Sequence, residues 1–264
     1  MNFKCNQFIS NGFECRTIHP FPNPAWEDVS TMVMDTYQAS SNTDIYFGMN
    51  SKHTNFPKVK QNKIRKNIVY QLEQMDPAVP WANPTYFDRL KTFDEVWDYD
   101  KGNIDFLATQ NITARYKPLQ FSQSLKKASP HIFMDIDALF IGAMNPHRKT
   151  ILDSIQAKGI NLLVTSNIWD SNVLYGFYAR SKIILNIHYY PCNIQEQCRI
   201  FPMIINGKCV VSEPSRENHF GNYIVETHPE KMADTVQELL TNDGWKAYNS
   251  ISNSFRKTSY YLND

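Results

Sequence analysis

The chain has 264 residues with 13% aromatic side chains, and its 27 basic and 26 acidic residues give a formal net charge of +1. The length fits one large domain or two small ones, and the aromatic content excludes long disorder because it supplies ample core material. The balanced charge excludes a uniformly basic nucleic-acid coat, although it is compatible with a local basic face.

The N-terminus and the cysteines indicate the compartment. Residues 1–7 lack the apolar core of a signal peptide, and no apolar run reaches the roughly 18 residues of a membrane-spanning helix. The cysteines are odd in number and form no CxxC pair, so we expect reduced thiols and neither a disulfide framework nor a zinc site. They are Cys5, Cys15, Cys192, Cys198 and Cys209. These features predict a cytoplasmic protein, in its own cell or in that of a host.

Short β-type runs alternate with helix-type stretches along the chain, a pattern that favours βαβ units and parallel sheets. In the first half, helical spacing predicts helices over 26–40, 85–93 and 103–108. Apolar runs predict strands over 44–49, 67–72, 95–99 and 113–118. A stretch with two prolines and three serines, 117–130, is interpreted as the linker between two α/β domains, 1–122 and 123–264.

The second half has a clearer pattern. Its predicted strands cover 138–143, 160–164, 182–188, 208–212 and 223–225. Helices are expected around 151–155 and over 173–180, 195–205, 229–240 and 245–256. The resulting order from 138 to 240, β-α-β-α-β-α-β-β-α, is that of a nearly complete doubly wound domain. Because open α/β sheets bind ligands at the carboxyl ends of their strands, we expect the functional residues there.

Several motifs occur in order between residues 67 and 215. They are YQLEQ at 70–74, VWDYD at 96–100, LFIGAMN at 139–145, ARSKIILNIHYY at 179–190 and VVSE at 210–213, with Asn103, Arg148, Glu196 and Arg199 at the expected spacing. This set resembles the motifs of small GT-B-fold glycosyltransferases of bacteria and phages, which include phage enzymes that modify DNA.

The resemblance implies an α/β fold of the GT-B type, in which two Rossmann-like domains face a central cleft. The second domain would bind a nucleotide-diphosphate sugar as co-substrate, and the first would bind the acceptor whose hydroxyl receives the sugar. It implies no cofactor and no metal, and it allows the last helix, about 245–257, to cross back to the first domain. Many retaining relatives carry two glutamates at the positions of Ile194 and Pro202, so the stereochemical outcome stays open.

Donor-binding candidates follow from the charge that develops on a leaving diphosphate, which cations and helix N-termini stabilise. Arg148 lies in the first turn of a predicted helix, and Glu196 and Arg199 share one helix face. The other candidates follow predicted strands and are His188, Tyr189 and Glu213. The alternative interpretation of these residues is structural: a solvated arginine, a satisfied histidine and a surface ion pair.

Acceptor-side candidates lie in the first half. Glu73 follows the strand 67–72 and is the candidate general base for the acceptor hydroxyl, with Asp76 as its rival. Both carboxylates have a simpler interpretation as loop or capping residues. Asp135 and Asp137 are two residues apart with no further ligand cluster, so no metal site is predicted there.

A basic stretch without acidic residues lies between 51 and 72. Its candidate polyanion-binding side chains are Lys58, Lys60, Lys63, Arg65 and Lys66. Two acceptors fit such a surface: a phosphate-bearing or lipid-linked surface glycan, and phage DNA whose hydroxymethylated pyrimidine is flipped out of the helix. A solvated loop is the plainer interpretation. The alternative function for the whole chain is a non-catalytic module that binds a nucleotide sugar or nucleic acid.

Overall fold

A computed structural model describes residues 2–49, 64–128, 133–255 and 262–263. The chain forms two compact units, one comprising Met1–Ser124 with Thr258–Asp264 and the other Leu125–Lys257. Each unit contains one main sheet, mostly or wholly parallel, with helices between its strands. The predicted α/β fold with Rossmann-like units is confirmed.

The first unit has a six-stranded sheet in the order β1-β2-β4-β5-β6-β7, parallel except for the antiparallel pair β1 and β2. Its strands are β1 (Asn2–Ser10), β2 (Phe13–Phe21), β3 (Tyr37–Gln38), β4 (Thr43–Tyr46), β5 (Lys66–Gln71), β6 (Glu95–Asp98) and β7 (Ala114–Tyr116). Its helices are α1 (Pro24–Thr36), α2 (Pro84–Leu90) and α3 (Lys101–Thr109).

The hairpin of β1 and β2 was not predicted from the sequence. Its two turn residues, Asn11 and Gly12, have φ angles of 51° and 81°. Positive φ at both positions is typical of the type I′ turn, for which Asn-Gly is the strongest short sequence signal. The predicted helix 26–40 is too long, because Tyr37 turns to extended backbone and begins β3.

The second unit has a five-stranded, wholly parallel sheet in the order β12-β11-β10-β8-β9. Its strands are β8 (Ile136–Ile141), β9 (Leu162–Thr165), β10 (Ser181–Asn186), β11 (Cys209–Ser212) and β12 (Val225–Glu226). Its helices are α4 (Pro146–Ala157), α5 (Ser171–Arg180), α6 (Gln197–Ile205), α7 (Met232–Thr241) and α8 (Gly244–Asn253). This is the doubly wound order whose direction reverses between its first and third strands, here β8 and β10.

The C-terminal part of the chain contributes to both units. Helix α8 packs against α6, α7 and β11 in the second unit. The short strand β13 (Leu262–Asn263) pairs in parallel with β3, which belongs to the first unit. Within the described residues, no helix combines the length and the apolar character needed to cross a membrane.

Candidate functional site

The predicted donor-side residues of the second unit lie at the carboxyl ends of β8, β10 and β11. Arg148 is in the first turn of α4, which follows β8, and His188 comes two residues after β10. Glu213 directly follows β11, and Glu196 precedes α6 as its N-cap residue. The point where the strand order reverses, between β8 and β10, is the usual ligand-binding position of such sheets.

The start of α4 is fixed by its cap. The side-chain oxygen of Asn145 accepts the N–H of Arg148 at 2.8 Å, and Pro146 occupies the first helical position. The same asparagine donates its side-chain N–H to the carbonyl of Tyr189 at 2.9 Å. The loop after β8 is thereby tied to the loop after β10, and the N-terminus of α4 lies beside the predicted site.

Arg148 is buried, and its guanidinium is held by main-chain carbonyls. Nε and Nη2 donate to Ile187 O at 3.0 and 2.6 Å, and Nη1 donates to Ala143 O at 2.8 Å. The guanidinium also lies 5.1 Å from the ring centres of both Phe140 and Tyr189. Burial, together with the nearby charge of Arg199, lowers the pKa of Arg148 to about 10. The arginine therefore links the loop after β8 to the loop after β10. Its contact with a donor phosphate stays a prediction.

The buried His188 pairs with the partly buried Glu196. The imidazole Nδ1 lies 3.0 Å from Glu196 Oε2, and Nε2 lies 3.2 Å from the carbonyl of Pro214. Both ring nitrogens thus face acceptors, which favours the imidazolium. Burial would lower the pKa of His188, but the hydrogen bond and charge of Glu196, with the charge of Glu213, outweigh it and raise the pKa above its ordinary value.

Glu196 is correspondingly ionised. Burial would raise its pKa, yet the hydrogen bond and charge of His188 and the charge of Arg199 bring it to about 2. Asn186 adds a hydrogen bond from its Nδ2 to Glu196 Oε2 at 3.0 Å. The charges of Glu196 and Arg199 therefore interact within a partly buried cluster that includes His188, and they are not a simple surface ion pair.

Glu213 connects the three strand ends. Its Oε2 accepts the main-chain N–H of His188 at 2.6 Å, and its Oε1 lies 2.7 Å from Nε2 of His147. Neither His147 nor Asn186 was predicted from the sequence as a site residue. The Asn-Pro pair that begins α4 could have indicated His147, because it places that side chain in the first helical turn beside Arg148.

Arg199 and Tyr189 complete the cluster. Nη2 of Arg199 donates to Ile141 O at 2.7 Å, and the half-buried guanidinium lies 5.7 Å from the ring centre of Phe140. Tyr189 is 37% exposed and contacts Tyr190 edge-on, with 4.7 Å between the ring centres. The structure thus gathers the six predicted donor-side residues at one edge of one sheet.

The two predicted general bases lie in the first unit, after β5. Asp76 Oδ1 accepts the N–H of Ala78 at 2.9 Å, the arrangement of a turn-forming aspartate. Glu73 is half-buried, and its negative charge adds to burial in raising the pKa of Tyr86. The buried side chains of Gln71 and Asn103 form hydrogen bonds with the main chain of Glu73.

The basic stretch is described only at its end. Lys58, Lys60 and Lys63 lie outside the described residues. Arg65 donates from Nε to Asp44 Oδ1 at 2.8 Å, and Nζ of Lys66 lies 3.0 Å from Glu95 Oε1.

Arg65 and Lys66 do not lie at the carboxyl ends of the strands, where the functional residues were expected. Lys66 begins β5, so Arg65 and Lys66 lie at the amino end of that strand and not at the carboxyl edge. The reason is that a parallel connection from β4 must return along the sheet before β5 begins. Their position and their carboxylate partners argue against a direct role for Arg65 and Lys66 in polyanion binding.

Metal ligands do not converge in the described parts of the chain. Among residues 2–49, 64–128 and 133–255, no three His, Cys, Asp or Glu side chains form a group that could hold an ion. Metal-independent chemistry remains a prediction.

Sequence comparison finds relatives among the proteins of Acanthamoeba polyphaga mimivirus. No protein-family model matches the chain. An uncharacterized protein of Acanthamoeba polyphaga mimivirus is 26% identical over 175 residues, which is 60% of this chain and 56% of that protein. A second uncharacterized mimivirus protein is 30% identical over 153 residues, 54% of this chain and 20% of its own length. The chain thus spans about half of the first relative and a smaller part of the second.

Structure comparison supports the fold. The crystal structure of TarM superposes with a TM-score of 0.54 at 14% identity, covering 95% of this chain and 59% of TarM. A variant of Staphylococcus aureus TarM in complex with fondaparinux, α-GlcNAc-glycerol and UDP gives a TM-score of 0.51 at 14% identity, covering 79% and 51%. At this identity the likeness shows the fold alone, which is an α/β fold.

Proposed function

We propose that the chain is a glycosyltransferase that moves a sugar from a nucleotide-diphosphate donor to an acceptor hydroxyl. The observation that carries this proposal is the cluster of Arg148, His188, Glu196, Arg199 and Glu213 at the strand-order reversal of a doubly wound unit. The fold likeness to TarM, one form of which was solved with UDP and a glycosylated glycerol, supports the same chemistry.

The donor diphosphate is the ligand whose charge fits this cluster. Three cationic groups, Arg148, Arg199 and the His188 imidazolium, stand against two carboxylates, and the N-terminus of α4 adds its dipole. These groups would stabilise the negative charge that builds up on the departing nucleotide. Glu196, Glu213 and Tyr189 would contact the hydroxyls of the ribose or of the sugar.

Arg199→Ala is expected to weaken the binding of the donor nucleotide roughly 10- to 100-fold, because a charge-assisted contact contributes about 1.5–3 kcal/mol. Isothermal titration calorimetry of the wild type with UDP, GDP and ADP first identifies the nucleotide that binds. The same titration of the variant then measures the loss of affinity. Lys158→Ala is the matched control, since Lys158 pairs with Asp234 at the far end of α4. Equal affinities of both variants and the wild type would remove Arg199 from the donor site.

On the acceptor side, we propose that Glu73, with Asp76 as its rival, removes the proton from the attacking hydroxyl. The acceptor is either a surface glycan or a hydroxymethylated pyrimidine in phage DNA. The charges of Lys58, Lys60 and Lys63 support a phosphate-bearing acceptor of either kind. The expected reduced state of the cysteines favours the cytoplasm of the source or host cell.

Sugar transfer is expected to proceed without a divalent metal, because arginines, an imidazolium and a helix N-terminus supply the positive charge for the diphosphate. The rate should change less than twofold between a buffer with EDTA and one with magnesium or manganese. The control is a metal-dependent glycosyltransferase assayed in parallel. Full loss of turnover in EDTA, restored by either ion, would contradict this prediction.

A non-catalytic module that binds a nucleotide sugar is the second candidate. The observation in its favour is that Ile194 and Pro202, where many retaining relatives have glutamates, are both buried. Slow release of nucleotide from a bound nucleotide sugar distinguishes the two, because only an enzyme would hydrolyse its donor.

A further inference from the structure

Three buried polar residues of the first unit take no part in the proposed donor site. Gln71, Asp98 and Asn103 have exposed fractions of 1%, 0% and 0%. Gln71 ends β5 and pairs in the sheet with Asp98, which ends β6, while Asn103 lies in the first turn of α3. They therefore meet at the carboxyl edge of this sheet, next to Glu73.

Two of these side chains hold the main chain of residues 73–75. Gln71 Oε1 accepts the N–H of Glu73 at 2.7 Å, and its Nε2 donates to the Glu73 carbonyl at 2.7 Å. Asn103 Nδ2 donates to the same carbonyl at 3.0 Å, and its Oδ1 accepts the N–H of Met75 at 2.7 Å. Because residues 73–75 belong to no helix or strand, the two amide side chains replace secondary structure in fixing this segment.

Asp98 in turn fixes both amides. Its Oδ2 accepts from Gln71 Nε2 at 2.8 Å, and its Oδ1 accepts from Asn103 Nδ2 at 3.0 Å and from the N–H of Asp100 at 2.9 Å. A main-chain N–H or carbonyl cannot exchange its role, so the contacts with Glu73 and Met75 determine the orientation of each amide. Both amides then point N–H groups at residue 98, which must offer an acceptor with each of its two terminal atoms.

This arrangement is costly as a purely structural solution. Burial raises the pKa of Asp98 well above its ordinary value, although the three hydrogen bonds favour the ionised form. An apolar contact between β5 and β6 would fill the same space without burying a carboxylate. A network with every polar group satisfied does fix one geometry, which is what a reacting group on a loop requires.

We propose that Asp98 is a positioning residue that acts through Gln71 and Asn103 to orient the carboxylate of Glu73 toward the acceptor hydroxyl. This inference rests on the proposed function, in which Glu73 is the general base. A base must lie within hydrogen-bond reach of the proton that it removes, so a displaced main chain slows transfer even when the carboxylate is present.

Asp98→Asn tests the proposal, because asparagine keeps the size of aspartate but places an NH₂ group where an acceptor is required. Turning the Gln71 amide over would relieve the clash but break both of its contacts with Glu73. We expect about 10-fold faster hydrogen exchange at the N–H groups of Glu73 and Met75. We also expect kcat for transfer to fall about 100-fold while the donor KM stays unchanged.

Asp94→Asn is the matched control, since Asp94 accepts the N–H of Asn67 at 2.7 Å at the amino end of the same pair of strands. It should leave kcat and the exchange at Glu73 unchanged. Gln71→Glu is the second variant if Asp98→Asn does not fold. It puts an oxygen against the Glu73 carbonyl and Asp98, and it should give the same pattern as Asp98→Asn.

Unchanged exchange at Glu73 and Met75 would overturn the proposal whatever the kinetics. Faster exchange with a kcat equal to that of Asp94→Asn would also overturn it, because Asp98 would then hold the loop without serving transfer. Failure of the proposed function is separately visible as absence of transfer by the wild type. In that case the catalytic role is refuted, and the exchange rates still report whether Asp98 holds residues 73–75.

Discussion

Arg148→Ala is expected to lower the free energy of unfolding by roughly 3 kcal/mol or more, the largest effect on stability that we predict. The guanidinium donates three hydrogen bonds to the carbonyls of Ile187 and Ala143, and each bond to a charged group contributes about 1.5–3 kcal/mol. Truncation leaves both carbonyls without these donors and opens the space that Gly142 leaves for the side chain, where an added Cβ would come within 3.1 Å of Nη1. Urea unfolding followed by circular dichroism measures the change.

Two control variants show whether the geometry or the charge of Arg148 matters. Arg148→Lys keeps the charge but not the planar fork, and it should recover only a small part of the stability. Lys149→Ala removes the neighbouring cation, whose pair with Asp153 is exposed, and should cost less than about 1 kcal/mol. If Arg148→Ala costs no more than Lys149→Ala, the guanidinium does not fasten the two loops.

In the wild type, the pKa of His188 lies above its ordinary value of 6.5. Glu196→Gln is expected to lower this pKa. Burial opposes the imidazolium, and the carboxylate of Glu196 is the main group that overcomes it. Heteronuclear NMR titration of the histidine ring measures both pKa values. Glu217→Gln is the control, because the exposed Glu217 lies near His219 and should leave the titration of His188 unchanged. A His188 pKa that does not fall in Glu196→Gln would contradict the assignment of the pair.

The same pair makes stability depend on pH in a defined window. Because the pKa of His188 is raised, its contribution to the stability of the folded state is fully present below pH 6.5. This contribution is lost as the pH rises through the folded-state pKa. The pKa of Glu196 is lowered from 4.5 to about 2. Its contribution to the stability of the folded state is therefore present above pH 4.5 and is lost as the pH falls toward 2. The pair therefore stabilises the protein most between pH 4.5 and 6.5, and Glu196→Gln should flatten this maximum.

Local patterns predicted much of the fold. The buried run KIILN predicted β10, and the Asn-Pro pair at 145–146 preceded a helix, as its capping chemistry requires. The hairpin of β1 and β2, which was not predicted, has an equally local signal in its Asn11-Gly12 turn. The end of α1 at Thr36 is different, because it depends on pairing of β3 with β13, more than 200 residues away along the chain.

The sequence predicted which residues lie together at the strand ends of the second unit but not the contacts that they make. The strand-end rule identified Arg148, His188 and Glu213 as neighbours, because the carboxyl ends of parallel strands meet at one edge. That Arg148 would donate to carbonyls could not be foreseen, since one acceptor, Ile187, is 39 residues away and depends on how the loops pack. The basic stretch shows the opposite case, because its sequence position did not reveal that Arg65 and Lys66 lie at the amino end of β5, whereas Glu73 follows the carboxyl end of that strand.

We propose that sugar transfer takes place at the charged edge of the second unit. The most direct test incubates the protein with nucleotide-diphosphate sugars in the presence of either a surface glycan or hydroxymethylated DNA, and follows acceptor mass together with nucleotide release. We predict that one donor and one acceptor react, with one nucleoside diphosphate released for each sugar added, and that Glu196→Gln loses most of this activity. Absence of donor binding and of mass gain across all combinations, with folded wild-type protein, would contradict the account.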